Sequence, residues 1–500
     1  MPATEGNLDS QVRRGIAWSS VNSMVLKLGT FAMGIVLARL LAPEQFGVFA
    51  VALTVQLVLM SFADLGMTAD LVRSAAPEKI APTIATFGFG SGALLTVTLI
   101  LSAPSLAALM GTPEAGPVIA VMAVSLVLAG AGVVPYASLQ RRFAQKELFI
   151  IALADFAVSA MLTVLLVLGG LGVMALAVGR IGAQSVTLVL QFVFSGERVR
   201  PGFDKTVAPA ILAYGLPVAG ANVLSWALLN LDNVVVSRLA GPVALGYYFL
   251  AFNISNWPMS AIGQVVRSIS IPAFARVASG KSDKSLSAMM GPVWAIALLA
   301  GLILAVLSAP LIEFVYGSRW LSAASILAWL GVFGALRTLF DLSASYLLAR
   351  GAANSTLLVQ VAWIAGLTPA VVLAMLTGGT TGVALAHLLT GLLVVSPAYV
   401  LALRRAGADV RSVAAKIWPP LAAALPSAAV TLFVTQAVAA PAAAVLVGAV
   451  AGTCMYVLLL FRWFRRQLVD AAGFLREVPT NDPLRPADQV PLSTPSGGMP

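Results

Sequence analysis

Residues 39–49 read Arg-Leu-Leu-Ala-Pro-Glu-Gln-Phe-Gly-Val-Phe, and residues 238–248 read Arg-Leu-Ala-Gly-Pro-Val-Ala-Leu-Gly-Tyr-Tyr. Arg39, Pro43 and Gly47 recur as Arg238, Pro242 and Gly246, and each stretch ends in an aromatic residue. The offset is the same for every pair: 238 − 39 and 246 − 47 are both 199. Proline cannot continue a helix and glycine permits a tight turn, so each stretch marks a boundary between helices. The arginine then falls at the end of its helix, beside headgroup phosphates and the negative end of the dipole. This reads as an interhelical turn with an interfacial anchor, ahead of contact with a substrate.

Around these two stretches the chain is strongly apolar. Of its 500 residues 59% are hydrophobic and 10% charged, against about a quarter charged in a soluble domain. Too few charges remain to build a water-facing surface, so lipid must cover most of the protein. Fourteen apolar stretches stand at about 16–38, 46–65, 82–104, 117–138, 149–169, 171–194, 209–233, 244–265, 288–309, 322–346, 354–376, 380–402, 418–436 and 441–461. Each is close to the ~20 residues a spanning helix needs, and twice the ~10 of a barrel strand. The sequence therefore predicts an all-α polytopic membrane protein of about 14 transmembrane helices.

Adding the offset to the first six stretches lands on the next six. Six is even, so both halves enter from the same side as parallel repeats. The expected organisation is an N-terminal six-helix lobe over 1–204 and a C-terminal one over 205–406. Two additional helices follow over 407–466, then a disordered cytoplasmic tail over 467–500, rich in proline and polar residues from about residue 477. Two such lobes enclose a central cavity that rocking exposes to alternate sides, which is the physical case for a transporter.

Orientation follows from the basic residues. With the N-terminus in the cytoplasm, cytoplasmic segments hold Arg13, Arg14, Arg141, Arg142, Lys146, Arg404, Arg405, Arg465 and Arg466 among others. The outer loops hold only Arg39, Arg238 and Arg319. Both termini are then cytoplasmic. The net charge of +10 is topogenic on this reading, and no segment offers a basic, aromatic-interleaved face for nucleic acid. Cys454 is the single cysteine and His387 the single histidine, so neither a disulfide nor a metal site is expected. No Walker-type loop with Lys and Ser/Thr is present, and no acid–base constellation on a large extramembrane segment, so neither a cofactor nor an enzyme is expected.

Ionisable groups at membrane depth are costly and usually face a hydrated cavity or a partner. Lys27, Arg180 and Arg337 fall inside spans and are candidates to line the pathway. Asp341, one turn from Arg337, is a candidate to neutralise it. Asp155 and Asp232 are candidates for ion coupling. Asp232 stands between Asn230 and Asn233 in a polar cluster expected to face the cavity. His387 reads as a cross-helix hydrogen bond ahead of a proton relay. Trp18, Trp226, Trp257, Trp329 and Trp363 read as anchors or packing ahead of sugar platforms.

The stretch Gly15-Ile-Ala-Trp18, the run Ala38–Phe49 and Asp64-Leu65-Gly66 together resemble the opening of the polysaccharide-transporter family, the Wzx-type lipid-linked oligosaccharide flippases of the MOP superfamily. The resemblance implies an inner-membrane flippase for a polyprenyl-diphosphate-linked oligosaccharide repeat unit, serving exopolysaccharide, O-antigen or capsule synthesis. It implies the lipid-linked oligosaccharide and the bilayer as partners, with polymerase and export machinery as candidates, and carries over no residue for the sugar. Two rivals within the superfamily remain: an ion-coupled multidrug antiporter, which would favour an acidic cavity, and a peptidoglycan-precursor flippase.

Overall fold

The computed structural model describes residues 26–64, 66–74, 76–197, 200–276 and 285–477. Residues 15–18 and the chain after 477 lie outside the described residues, as do the side chains of Asp64 and Trp226. No β-strand occurs among the described residues. Helix α1 covers residues 26–40. It is followed by α2 (Pro43–Asp64), a short α3 (Met67–Arg73), α4 (Pro77–Leu109), α5 (Ala115–Arg141), α6 (Gln145–Leu168) and α7 (Met174–Ser195). The second half runs α8 (Ala208–Leu229), α9 (Leu231–Arg276), α10 (Ser285–Val306), a short α11 (Ser308–Tyr316), α12 (Ala323–Ala349), α13 (Ala353–Thr390), a π turn (Gly391–Val395) and α14 (Ser396–Arg405). Helices α15 (Val410–Gln436) and α16 (Pro441–Glu477) close the chain.

Eleven helices among the described residues are long and apolar enough to cross a membrane, against fourteen stretches read from the sequence. Three places account for the difference. Helix α1 is described only from residue 26. Helix α8 runs 22 residues to a break at Asn230 (φ −119°, ψ 11°), but only its Ala208–Gly220 part enters the count, as a shorter apolar helix rather than a span. The run Ala353–Arg405 counts as one span of 53 residues, which would be ~80 Å long if straight. It is not straight. Gly379 takes φ 60°, ψ −153°, and a Cβ on Gly382 would lie 2.6 Å from the Ala374 carbonyl oxygen, so the chain doubles back there. Helix α9 folds back in the same way at Gly241 (φ 78°, ψ −178°). Tyr248 thereby reaches Asp232 at 2.7 Å, whereas sixteen residues of straight helix would separate them by ~24 Å.

The C-terminal boundary also differs from the expected one at Arg466. Helix α16 continues to Glu477. Its extension is held from two sides: Gln467 is buried against Gly291 on α10, and Asp470 accepts from Lys416 on α15 at 2.9 Å.

The two repeated stretches meet. A Cβ on Gly47 would lie 1.7 Å from the carbonyl oxygen of Pro242, and a Cβ on Gly246 would lie 1.9 Å from that of Pro43. The same pair of positions is exchanged between the halves, as a two-fold relation between the repeats requires. Only glycine lets the backbones of α2 and α9 approach so closely. Trp320, fully buried, seals this end. Its ring stands edge-on to Phe46 at 5.1 Å and to Tyr247 at 5.9 Å, one aromatic from each repeat. Its indole N–H donates to the Ala38 carbonyl at 2.8 Å. Trp320→Ala removes a large buried ring and one of the two donors to that carbonyl, which Arg319 also reaches, at a cost of about 3–5 kcal/mol. The expected result is a clear fall in the thermal unfolding midpoint of the purified protein.

Candidate functional site

The arginines of the two stretches reach across to the opposite repeat. Arg39 Nε donates to the Val315 carbonyl at 2.8 Å, and a second N–H of Arg39 donates to Phe314. Both carbonyls belong to the last turn of α11, where backbone oxygens lack helical partners and carry negative dipole charge. Arg238 donates to the Ala108 carbonyl in the last turn of α4 at 3.3 Å. Arg319 answers from the second half, donating to Ala38 at 2.7 Å and to Arg39. Ser237 adds a bond to the Met110 carbonyl at 2.7 Å. The arginines expected as interfacial anchors therefore latch the repeats together, because the fold brings a helix C-terminus of the other repeat within their reach. We term this the motif end of the bundle, and the end bearing Arg141 and Arg142 the basic end.

Beneath the motif end lies a cavity of about 950 Å³ between the repeats. Its lining includes Leu37, Phe46 and Tyr316 below the closed motif contact, and Gln140, Phe143 and Gln145 at the basic end. Phe143 is 76% exposed, placing the mouth there. The volume is at the upper end of the ~300–1,000 Å³ of ligand sites.

Asp155 and Arg180 are the charged side chains among the described lining residues. Arg180 approaches Asp155 at 4.0 Å, beyond hydrogen-bond distance. Its Nε has no hydrogen-bond partner among the described residues. Asp155 is instead held by the Thr187 hydroxyl, which donates to it at 2.9 Å. The guanidinium thus lines the cavity with its side chain 41% exposed and the Asp155 carboxylate beside it. That arrangement suits phosphate oxygens, which a guanidinium fork binds in bidentate fashion.

Lys27 and Arg337 are not among the lining residues. Both turn to a single face of α9. Lys27 donates to Gln264 Oε1 at 2.9 Å and to the Ser260 carbonyl at 3.2 Å, while its own carbonyl accepts from the Trp257 indole at 3.1 Å. Arg337 approaches Asn256 Oδ1 at 3.4 Å. Positions 256, 260 and 264 are one turn apart, so α9 presents a polar ladder to both cations. Their placement ties α1 and α12 to α9.

Asp232 and Asn233 do not face the cavity as expected. They are 5% and 9% exposed, packed inside the bundle, because the reversal at Gly241 folds the second limb of α9 over them. His387 is buried and bonds across helices to Tyr248 at 3.1 Å.

Several functional candidates were not singled out from the sequence. On α7, Gln184, Thr187 and Gln191 line the cavity together with Arg180, the one member of the set expected from the sequence. Their spacing of four, three and four residues is a helical polar stripe in an otherwise apolar span, a signal present in the sequence. Gln140, Gln145 and Asn253 add amides, and Trp257, expected as an anchor or packing residue, adds an aromatic face. Amides and aromatic rings are the groups that hydrogen-bond and stack on sugars.

A model for the family described as "Polysaccharide biosynthesis protein" matches residues 36–325. Among curated proteins, the chain is 26% identical over 328 residues to the succinoglycan biosynthesis transport protein ExoT of Rhizobium meliloti, covering 64% of this chain and 66%, just under two thirds, of that relative. It is 24% identical over 429 residues to the lipopolysaccharide biosynthesis protein WzxC of Escherichia coli, covering 83% of this chain and 86% of that relative. Among solved structures, lipid II flippase MurJ in an inward closed conformation matches with a TM-score of 0.72 at 14% identity, over 91% of this chain and 100% of that one. A multidrug resistance MATE family transporter of the MOP superfamily, inward-facing, matches at 0.54 and 15%, over 78% and 98%. These structural matches establish the fold.

Proposed function

From the premise that the chain belongs to the family of polysaccharide biosynthesis proteins, we propose that it is a flippase for a polyprenyl-diphosphate-linked oligosaccharide, working by alternating access. The observation that carries this reading is the cavity between the repeats, closed at the motif end, with the Arg180 guanidinium and an amide stripe inside it. The diphosphate binds at Arg180, oriented by Asp155. The sugars lie along Gln184, Gln191, Asn253 and Trp257, and the polyprenyl tail stays in lipid. Opening the motif end while closing the basic end delivers the headgroup to the far side without covalent chemistry.

The basic end faces the cytoplasm, with both termini on that side, in keeping with the excess of Lys and Arg there. The two lobes are the halves on either side of residue 204, and α15 and α16 pack outside the second. Lys27 and Arg337 act by fixing α9, which forms one wall of the cavity. The exported repeat unit is handed to a polymerase or export system on the far side.

Binding tests the reading directly. A short-chain prenyl diphosphate bearing an oligosaccharide is expected to raise the unfolding midpoint of the detergent-solubilised protein in a saturable way. The free oligosaccharide and the prenyl alcohol are expected to do so far more weakly. Equal stabilisation by organic cations lacking phosphate would favour the antiporter reading instead.

A further inference from the structure

Asp232, Tyr248 and His387 are 5%, 0% and 6% exposed and meet beside the break at Asn230, and none of the three is among the cavity-lining residues. Interrupted helices at membrane depth are where transporters build ion sites. The hydrogen positions follow from the partners. The Tyr248 hydroxyl donates to Asp232 Oδ2 at 2.7 Å, which uses its single proton. His387 Nε2 lies 3.1 Å from the Tyr248 oxygen and 3.4 Å from Asp232 Oδ2, and both present lone pairs to it. Nε2 therefore carries the hydrogen of the neutral ring, and the lone pair is on Nδ1. That buried Nδ1 has no hydrogen-bond partner among the described residues. Asp232 Oδ1 already accepts from the Asn233 backbone N–H at 2.9 Å.

We propose that Asp232, Tyr248 and His387 form a proton-loading site whose occupancy governs closure of the motif end. One proton adds to the Nδ1 lone pair as a new N–H bond, and no other bond breaks. The cluster passes from a net charge of −1, a buried carboxylate beside a neutral imidazole, to zero, an imidazolium–carboxylate pair. An uncompensated buried carboxylate is strongly disfavoured, so loading stabilises the closed, dry packing and loss of the proton favours opening and hydration. Donors already occupy both carboxylate oxygens and an imidazole completes the cluster, an arrangement that matches a proton and competes with a sodium ion.

The link to closure is direct. Asn233 Nδ2 donates to Thr54 Oγ1 on α2 at 3.3 Å, and Ser237 bonds Thr112 at 3.1 Å. The segment bearing Asp232 is thus bonded to the first repeat within two turns of the Gly47–Pro242 contact. The groups facing the site are Thr54 from α2 and Phe333 from α12, whose ring lies 5.2 Å from His387. Arg337 and Asp341 follow one and two turns along α12, with Arg337 directed to Asn256. Asp232, Tyr248 and His387 are the titratable members.

The inference rests on the flippase reading only for the cargo. Its test uses the full chain in nanodiscs, with reporters on Leu109→Cys and Leu321→Cys, exposed positions on opposite repeats at the motif end, in a Cys454→Ala background. The closed-to-open ratio is expected to rise as pH falls, by up to about tenfold per unit, the limit for one linked proton. His387→Gln is expected to abolish the pH response. Asp232→Asn, which is neutral without a bound proton, is expected to hold the motif end closed at high pH, where the wild type opens. A wild type insensitive to pH, a response surviving both substitutions, or closure driven by sodium at constant pH would overturn the proposal. A normal pH response without oligosaccharide transport would overturn the flippase reading and leave this site standing.

Discussion

Gly47→Val is expected to abolish translocation while leaving the protein folded. The added Cβ would lie 1.7 Å from the Pro242 carbonyl oxygen, where the obstacle is backbone rather than a side chain that can swing away. Helices α2 and α9 must separate by more than 1 Å to relieve the overlap, and separation is what opening the motif end does anyway. The substitution therefore penalises only the closed state. Overpacking of this kind costs about 1–3 kcal/mol when side chains give way, and more against backbone, so the closed-to-open ratio is expected to fall by at least ~10–100-fold. Gly246→Val, against Pro43 at 1.9 Å, is expected to give the same phenotype through the symmetry-related contact. Gly90→Ala, with open space around the added Cβ, is the control. It is expected to be neutral or slightly stabilising, since alanine is the better helix former. Distance measurements across the motif end, made on the same preparations as turnover, separate a failure to close from a failure to fold.

Arg180→Ala is expected to weaken binding of a prenyl-diphosphate oligosaccharide by about 10–150-fold. A hydrogen bond to a charged group contributes about 1.5–3 kcal/mol, and the guanidinium offers two parallel donors to a phosphate. Arg180→Lys retains the charge and loses the fork, so an intermediate loss is expected. Asp155→Asn leaves the size of the cavity unchanged and removes the carboxylate that competes for the guanidinium. A diphosphate is expected to bind it at least as tightly as the wild type, with slower release and lower turnover. Titration of the purified variants with the short-chain ligand distinguishes these outcomes. Equal affinity in Arg180→Ala and wild type would remove the guanidinium from the site.

Much of this fold was legible in the sequence because a bilayer imposes length and polarity on every element. The spans, the 199-residue offset and the glycine positions all follow from local pattern. What could not be read was what three-dimensional folding brings together. Gly47 and Pro242 are distant in sequence, and their reciprocal approach turns an apparent turn signal into a latch. Gly241 and Gly379 look like ordinary glycines in apolar runs, yet each reverses a helix, and the reversal at Gly241 buries Asp232 under Tyr248.

The candidate site divides along the same line. Arg180 and Asp155 share the cavity because α6 and α7 pack side by side, which their adjacency in the chain implies. Lys27 and Arg337 meet the polar ladder of α9 instead, a consequence of tertiary packing that span depth alone does not reveal. The stripe Arg180, Gln184, Thr187 and Gln191 was present in the sequence as a helical period. Arg180 stands out by its charge, whereas the neutral side chains of Gln184, Thr187 and Gln191 carry no comparable penalty at depth to mark them in an apolar span. His387 was legible as a buried cross-helix bond; its unpartnered Nδ1 emerged only with Tyr248 and Asp232 in place.

The most direct measurement is translocation of a fluorescent polyprenyl-diphosphate oligosaccharide by the purified protein in proteoliposomes, read as accessibility of the headgroup to an impermeant quencher. The account predicts that the headgroup crosses with the wild type, under an imposed proton gradient, and fails to cross with Gly47→Val. Wild-type vesicles that move none of several lipid-diphosphate headgroups under any imposed ion gradient, yet extrude organic cations, would contradict it.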